Sequence, residues 1–320
     1  HVQLEGGVDV LQVHPGRPRV DLPCGHQEGR PLCLARPNLG HGAVIEMVHE
    51  YTEKGRWGGR LTNKPLPQTD SAIDALPPAL RERLAGLWHI RSAMERRVGD
   101  SFSMVVTALE RRRTAPLLLE LARRAVDDEY RHEELSRRVA SVYAGRDLPR
   151  AQRLELTPPK YEGEREELRD TLTIVGQCVF NETTAGAFLE ASLSHAKTPL
   201  ARAAISELLS DEIDHGRIGW AHLAELTAEE RKEVEPWLLP LAYLNLREWQ
   251  RETPYDPSHD AIFSDHGEPP TAVLHAALVD ALRTLIVPGL AALGMDTKPL
   301  VAWLDAGAET SKPPRELANA

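Results

Sequence analysis

Glutamate and histidine residues that could bind metal occur twice in this chain, in the same order. Each copy begins with a lone glutamate, and a Glu-x-x-His motif follows 34 residues later in the first copy and 30 residues later in the second. The two copies are Glu95 with Glu129 and His132, and Glu182 with Glu212 and His215. Residues three apart on a helix lie on one face, roughly 5–6 Å apart at Cβ. Four carboxylates and two imidazoles in this order predict a dinuclear metal centre inside a four-helix bundle.

The two Glu-x-x-His motifs lie at the same depth in their predicted helices. Pro116 and Pro199 are each expected in the first turn of a helix, with Thr114 and Thr198 as the N-cap residues. Each proline precedes the glutamate of its motif by 13 residues. The matching offset indicates an internal repeat of helix pairs. One Glu-x-x-His motif is usually part of a solvated helix face, but two copies at matched positions favour a metal site.

The choice of the two lone glutamates depends on their spacing. Glu82 and Glu110 are alternatives to Glu95 on the first helix, but their distances from the following motif do not match the second copy. Glu182 is preferred to Glu190 for the same reason. A separation of about 30 residues suits two antiparallel helices that meet at one level.

The residues around Glu182 are almost uncharged. Residues 172–180 carry no charge, and Thr183–Leu189 are small or apolar, so Glu182 is expected to be buried. Buried carboxylates are unfavourable unless they are paired, protonated or bound to metal, and several together raise one another's pKa. Two divalent ions would balance the charge of the four site carboxylates.

The hydrophobic periodicity predicts an all-α protein, with Pro240 and Pro288 as helix kinks. The predicted core helices cover 78–113, 116–144, 162–196 and 199–226, with further helices at 41–55, 229–252 and 270–292. The predicted regions are an irregular N-terminal arm with one helix at 1–77, the bundle at 78–227 and C-terminal helices at 228–320, which together form one domain.

Length and composition agree with a soluble cytoplasmic enzyme, and a homodimer is an open alternative for its assembly. Hydrophobic residues make up 42% of the 320 residues, and the net charge of −10 argues against nucleic acid or an anionic membrane as a partner. No segment is expected to be a transmembrane span or a signal peptide. Cys24, Cys33 and Cys178 do not form a disulfide framework, which indicates a reducing compartment. The spacing of Cys24, His26 and Cys33 is poor for zinc.

The doubled pattern, in which an aspartate precedes each motif glutamate, resembles the ferritin-like di-iron oxygenases. That group includes the soluble methane monooxygenase hydroxylase, the acyl-carrier-protein desaturases and, most similar in length and C-terminal helices, the p-aminobenzoate N-oxygenase family. The resemblance implies a ferritin-like bundle in which Asp128 orients His215 and Asp211 orients His132. One position differs, because Leu208 stands where that family has an additional histidine ligand. This difference argues against arylamine N-oxygenation itself.

The resemblance also implies two iron ions, with manganese or a mixed Mn/Fe pair as alternatives, and O2 as co-substrate. A small organic substrate and an external electron donor, such as a reductase or a ferredoxin, are then expected. The predicted pocket residues are Trp88, Phe102, Cys178, Val179 and Leu208, although ordinary core packing would also explain them. Other functions remain open: a ferroxidase or iron-binding protein without an organic substrate, a desaturase, an Mn/Fe oxidase, or a metal-free scaffold. More than 150 residues outside the bundle favour an enzyme with a pocket.

Overall fold

The computed structural model describes residues 26–27, 30–31, 66–67, 69–252 and 260–314. The chain divides into two compact units, His1–Ala35 and Arg36–Ala320. In the first unit, strands β1 (His26–Gln27) and β2 (Arg30–Pro31) form a two-stranded antiparallel sheet. The sequence predicts an irregular arm without strands in this region. The predicted helix at 41–55 and the weak Cys24 and Cys33 zinc pattern lie outside the described residues.

The described part of the second unit is all-α, which confirms the predicted class. Its helices are α1 (Ser71–Asp74), α2 (Pro78–Arg111), α3 (Pro116–Ala144), α4 (Glu166–Ile174), α5 (Glu182–His195), α6 (Pro199–Glu225), α7 (Ala228–Val234), α8 (Leu238–Glu252), α9 (Asp260–Asp265), α10 (Thr271–Ala281), α11 (Val287–Ala292) and α12 (Lys298–Asp305). A π-helical segment, Val175–Asn181, joins α4 to α5, and a second one, Leu282–Ile286, joins α10 to α11.

The long helices α2, α3 and α6 lie where the sequence predicts them. α2 packs along α3, α3 packs on α6, and α5 packs on α6. Pro116 and Pro199 both stand in the first turn of their helices. The capping prediction is wrong for Thr114, because Ala115 occupies the N-cap of α3. Thr198 does occupy the N-cap of α6, but its side chain makes no capping hydrogen bond there.

The third predicted helix is interrupted. Regular α-helix begins at Glu166, changes to π-helix from Val175 to Asn181, and returns to α-helix at Glu182. π-Helical segments bond residue i to residue i+5 and are frequently found at functional sites. The interruption ends directly before the lone glutamate of the second copy.

The C-terminal helices complete the main hydrophobic core. Predicted helix 229–252 divides at a 3-10 turn, Glu235–Trp237, so the break lies at Pro236 and not at Pro240. Pro288 stands at the start of α11, directly after the second π-helical segment. α10 packs against α5, and α8 packs against the first π-helical segment. The C-terminal helices therefore rest on the half of the bundle that holds Glu182.

One helical run has the length and the apolar composition of a membrane span, although the sequence predicted no such span. Thr271–Ala292 is long and apolar enough to cross a membrane by length and composition alone. Leu274, Leu278 and Leu282 on this run are buried in the main core. The core helices of soluble proteins can have the same length and composition, so this finding is weak evidence for a membrane span.

Candidate metal centre

Four helices bring the six predicted side chains together in two overlapping groups. Glu129, Glu182, Glu212 and His215 form the first group, and Glu95, Glu129 and His132 form the second. Within each group the possible ligand atoms lie within 4.8 Å of one another. Atoms bound to one divalent ion lie about 2 Å from it, hence up to about 4 Å apart, so small side-chain rotations close the difference. Glu129 belongs to both groups and is placed to bridge them.

Both imidazoles direct the same ring atom into the cluster. Nδ1 of His132 lies 3.5 Å from Oε2 of Glu129, and Nδ1 of His215 lies 2.9 Å from Oε1 of the same carboxylate. The Nε2 atoms face the other way. Nε2 of His132 is hydrogen-bonded to Oδ2 of Asp211 at 3.1 Å, whereas Nε2 of His215 is 3.6 Å from Oδ2 of Asp128. Each aspartate therefore lies beside the histidine of the other copy, as the resemblance implies.

Several buried atoms of the cluster have no hydrogen-bond partner among the described residues. These atoms are both carboxylate oxygens of Glu129, Oε2 of Glu182, Oε2 of Glu212, Nδ1 of His132 and both ring nitrogens of His215. The contact between His215 and Glu129 is close but lacks hydrogen-bond geometry. Buried polar atoms without partners are rare in folded proteins and need an explanation such as a bound ion. The oxygen and imidazole donors suit iron or manganese.

Burial gives the site carboxylates unequal pKa values in the metal-free protein. Burial, together with the charge of Glu129, raises the pKa of Glu95 to about 8. Burial and a neighbouring carboxylate raise the pKa of Glu212 well above its ordinary value. Burial acts in the same direction on Glu129, but the close, protonated rings of His132 and His215 outweigh it and lower the pKa of that carboxyl. Proton binding therefore replaces part of the charge balance that metal ions would supply.

The two imidazoles hold protons strongly when no metal is bound. Burial alone would lower the pKa of each ring. Contacts with Asp211 and Glu129 instead raise the pKa of His132 well above its ordinary value. Contacts with Asp128 and several cluster carboxylates do the same for His215. Metal ligation requires the neutral ring, so metal binding must release these protons.

Arg131 connects the two aspartates, and sequence reasoning missed it. Its guanidinium donates to Asp211, lies 3.4 Å from Oδ1 of Asp128 and donates to Oε1 of Glu207 at 3.2 Å. It is largely buried, so its charge offsets carboxylates that would otherwise repel one another. A signal was present, because Arg131 follows Asp128 by three residues and lies directly before His132. The corresponding residue of the second copy, Asp214, pairs instead with an arginine on its own helix.

Two side-chain amides hold Glu182, and these were also missed. Nε2 of Gln177 donates to Oε1 of Glu182 at 2.5 Å, and Nδ2 of Asn181 donates to the same oxygen at 3.1 Å. Both amides lie on the first π-helical segment. The only available signal was that they are the amide residues within an apolar run before a lone glutamate.

Two glycines allow the helices of the centre to approach closely. A Cβ atom on Gly99 of α2 would lie 2.9 Å from Cε1 of Tyr130 and 3.2 Å from Cβ of Glu129. A Cβ atom on Gly219 of α6 would lie 2.7 Å from Cγ2 of Val179 and 2.8 Å from Cβ of Cys178. Ordinary carbon contacts are about 3.5–4.0 Å. A larger residue at either position would press against the helices that carry the cluster side chains.

A cavity of about 420 Å³ reaches the cluster, and all four site carboxylates line it. The apolar part of its wall includes Leu87, Met94, Val98, Phe188, Trp249 and Leu274. Two ion pairs also line it, Arg91 with Glu268 and Arg97 with Glu248, each with an N–O distance of 2.8 Å. The cavity is large enough for a small organic molecule and mostly apolar, as small-molecule sites usually are.

The predicted pocket residues do not line this cavity. Trp88, Phe102, Cys178, Val179 and Leu208 are fully buried in the hydrophobic cores instead. Phe102 packs edge-on against the ring of His215 at a centroid distance of 5.2 Å. Trp88 packs against the guanidinium of Arg91, which does line the cavity.

The rotation of α2 explains the difference for Trp88 and Phe102. Trp88, Glu95 and Phe102 are seven residues apart and share the inward face of the helix. The cavity instead lies along Leu87, Met94 and Val98. This face is turned by roughly 100° about the helix axis, which is the angle between two consecutive residues of an α-helix.

No protein-family model, no curated protein and no solved structure matches this chain.

Proposed function

We propose that this protein is a non-haem di-iron oxidoreductase, an oxygenase or oxidase that activates O2 to act on a small organic substrate. The observation that carries the proposal is the cavity of about 420 Å³ whose wall includes all four site carboxylates. A storage or purely structural metal site would not need an apolar chamber beside its ligands.

The donor set supports iron, with manganese or a mixed Mn/Fe pair as the alternatives. One ion would be held by Glu182, Glu212 and His215, the other by Glu95 and His132. Glu129 lies within reach of both positions. When bound, two ferrous ions supply the electrons for the reduction of O2, and the protein supplies geometry and electrostatics.

The remaining residues of the site position the histidines and exclude water. Asp211 accepts a hydrogen bond from Nε2 of His132, which leaves Nδ1 free for metal and fixes the orientation of the ring. Arg131 holds Asp211 and lies beside Asp128, so both orienting carboxylates share one cation. The apolar cavity wall keeps a substrate next to the carboxylates with little competing water.

Elemental analysis tests the metal part of the proposal. Protein expressed with ample iron should contain two transition-metal ions per chain, mostly iron. Glu129→Ala should lose most of both ions, because Glu129 belongs to both ligand groups. Glu212→Ala should strongly reduce occupancy as well. Glu190→Ala is the matched control, since Glu190 is a carboxylate on α5 outside the cluster, and it should retain two ions. Trace metal in the parent protein would refute the proposal.

Oxygen consumption separates an oxygenase from an iron-storage protein. The reduced, iron-loaded protein should consume about one O2 per pair of iron ions and then stop, because each site supplies a limited number of electrons. A storage protein would continue to oxidise added iron. Accumulation of tens of ferric ions per chain would contradict the oxygenase proposal.

A further inference from the structure

The two metal positions are not equivalent, although the sequence repeat that forms them is nearly symmetric. The first group offers four ligands, Glu129, Glu182, Glu212 and His215, all of them buried. The second group offers three, and its lone glutamate, Glu95, is only partly buried. The larger number of ligands favours the first position.

The two oxygens of Glu182 have different surroundings. Oε1 accepts hydrogen bonds from the amides of Gln177 and Asn181. Oε2 has no hydrogen-bond partner and lies 3.5 Å from Nδ1 of His215. The amides therefore hold the carboxylate with one oxygen occupied and the other directed into the cluster. Among the described residues, no side-chain amide donates in this way to Glu95.

Each amide is itself oriented by a further hydrogen bond. Ser101 on α2 donates to Oε1 of Gln177 at 2.6 Å, so Nε2 of Gln177 must face Glu182. Nδ2 of Asn245 on α8 donates to Oδ1 of Asn181 at 3.4 Å. This hydrogen bond leaves the Asn181 amide nitrogen directed toward Glu182. Two chains of hydrogen bonds from separate helices thus converge on one carboxylate oxygen.

The π-helical segment makes the first of these contacts geometrically accessible. Gln177 and Glu182 are five residues apart, and in an α-helix only residues three or four apart are neighbours. In the π-helical segment Val175–Asn181, residues five apart are brought to the same side. The segment places the Gln177 amide against Glu182 without any change in sequence spacing.

We infer that Gln177 and Asn181 are positioning residues that fix Glu182 as a one-oxygen ligand and make the Glu182–Glu212–His215 position bind metal first. The position of Glu95 and His132 binds second and more weakly. This inference rests on the proposed dinuclear metal centre and adds an order of filling to it.

Calorimetric titration of the metal-free, full-length protein with Co(II) tests the inference. The parent protein should bind two ions in two steps, the first about tenfold or more tighter than the second. Gln177→Met keeps the length of the side chain but removes the amide, and it should weaken the first step by about 10-fold to 100-fold. The second step should not change. Gln250→Met is the matched control, because Gln250 is an exposed amide away from the cluster.

The visible spectrum of the first Co(II) equivalent adds a readout that a merely structural role would not change. In Gln177→Met, Oε1 of Glu182 keeps only its hydrogen bond from Asn181, so the carboxylate is held less firmly and the ligand-field bands should shift. Ser101→Ala should produce the same changes to a smaller degree, and it decides the question if Gln177→Met fails to fold.

The outcomes are distinguishable. An unchanged first step and spectrum in Gln177→Met, or equal weakening of both steps, would refute the positioning role while leaving the metal centre intact. A parent protein that binds no Co(II) would refute the metal centre and the inference together.

Discussion

Replacing Gly219 with alanine should destabilise the protein although it adds only one methyl group. The new Cβ would lie 2.7 Å from Cγ2 of Val179, 2.8 Å from Cβ of Cys178 and 2.9 Å from the backbone nitrogen of Val179. Contacts between such atoms normally need about 3.5 Å or more. α6 and the first π-helical segment would therefore have to separate by roughly 0.7 Å at this point.

The size of the effect follows from two opposing contributions. Overpacking of a dense core costs about 1–3 kcal/mol, and the upper end applies because one contact is with backbone, which cannot rotate away. Alanine is more favourable than glycine inside a helix by about 1 kcal/mol. The net loss in the free energy of unfolding is thus about 2 kcal/mol. At an unfolding entropy of about 2.1 cal/mol/K per residue, a unit as long as Arg36–Ala320 should melt about 3–4 °C lower.

Thermal unfolding of the metal-free protein, followed by circular dichroism, measures this loss. Gly216→Ala is the matched control one turn away, because its Cβ would meet the nearest atoms at 3.7 Å and 3.9 Å, which are ordinary contacts. Gly86→Ala controls for helix propensity, since nothing lies within 4 Å of its Cβ. Both controls should match the parent or exceed it. If Gly219→Ala melts together with the controls, the close approach of α6 to the π-helical segment is wrong.

The remaining predictions concern the two orienting aspartates and the effect of pH on the cluster. Asp211→Asn should weaken metal binding by about 10-fold to 100-fold, and Asp128→Asn less, because only Asp211 is within hydrogen-bond distance of its histidine; equal metal affinity in both variants and the parent would contradict the orienting role. Metal affinity should fall as pH decreases from about 8, because the pKa values of Glu95, His132 and His215 are raised and protons then compete with metal for these groups. An affinity that does not change between pH 6 and about 8 would contradict this competition. The metal-free protein should lose stability as pH rises through the same range, since its folded state binds these protons more tightly than the unfolded chain does; unfolding midpoints measured across that range check the sign.

The sequence was sufficient to predict that the six side chains lie together. Helical periodicity places residues three apart on one face, and the shared offset from Pro116 and Pro199 places both motifs at one depth. These are local relations, so they can be read without knowledge of the tertiary structure. The long bundle helices were predictable for the same reason.

The non-local features could not be predicted. The amides that hold Glu182 act through Ser101 and Asn245, which are distant in sequence, and through a π-helical segment that no residue pattern marks. The cavity was assigned to the wrong residues because its position depends on the rotation of α2 and on the distant helices α9 and α10, whose Phe263 and Leu274 also line it. A rotation of one residue is enough to exchange Trp88 for Leu87 as a wall residue.

The first π-helical segment can also be considered as an inserted residue. A helix that contains one such turn has one residue more than a regular α-helix of the same length, so everything after it is out of phase by roughly 100°. The apolar pattern of Glu166–Ile174 therefore does not continue in phase into Glu182–His195. Two short helices, each with its own phase, occupy what appears in the sequence as one. Deletion of a single residue between Val175 and Asn181 should restore a continuous phase and turn Glu182 out of the cluster, so the additional residue of this helix is what brings Glu182 to the other five side chains.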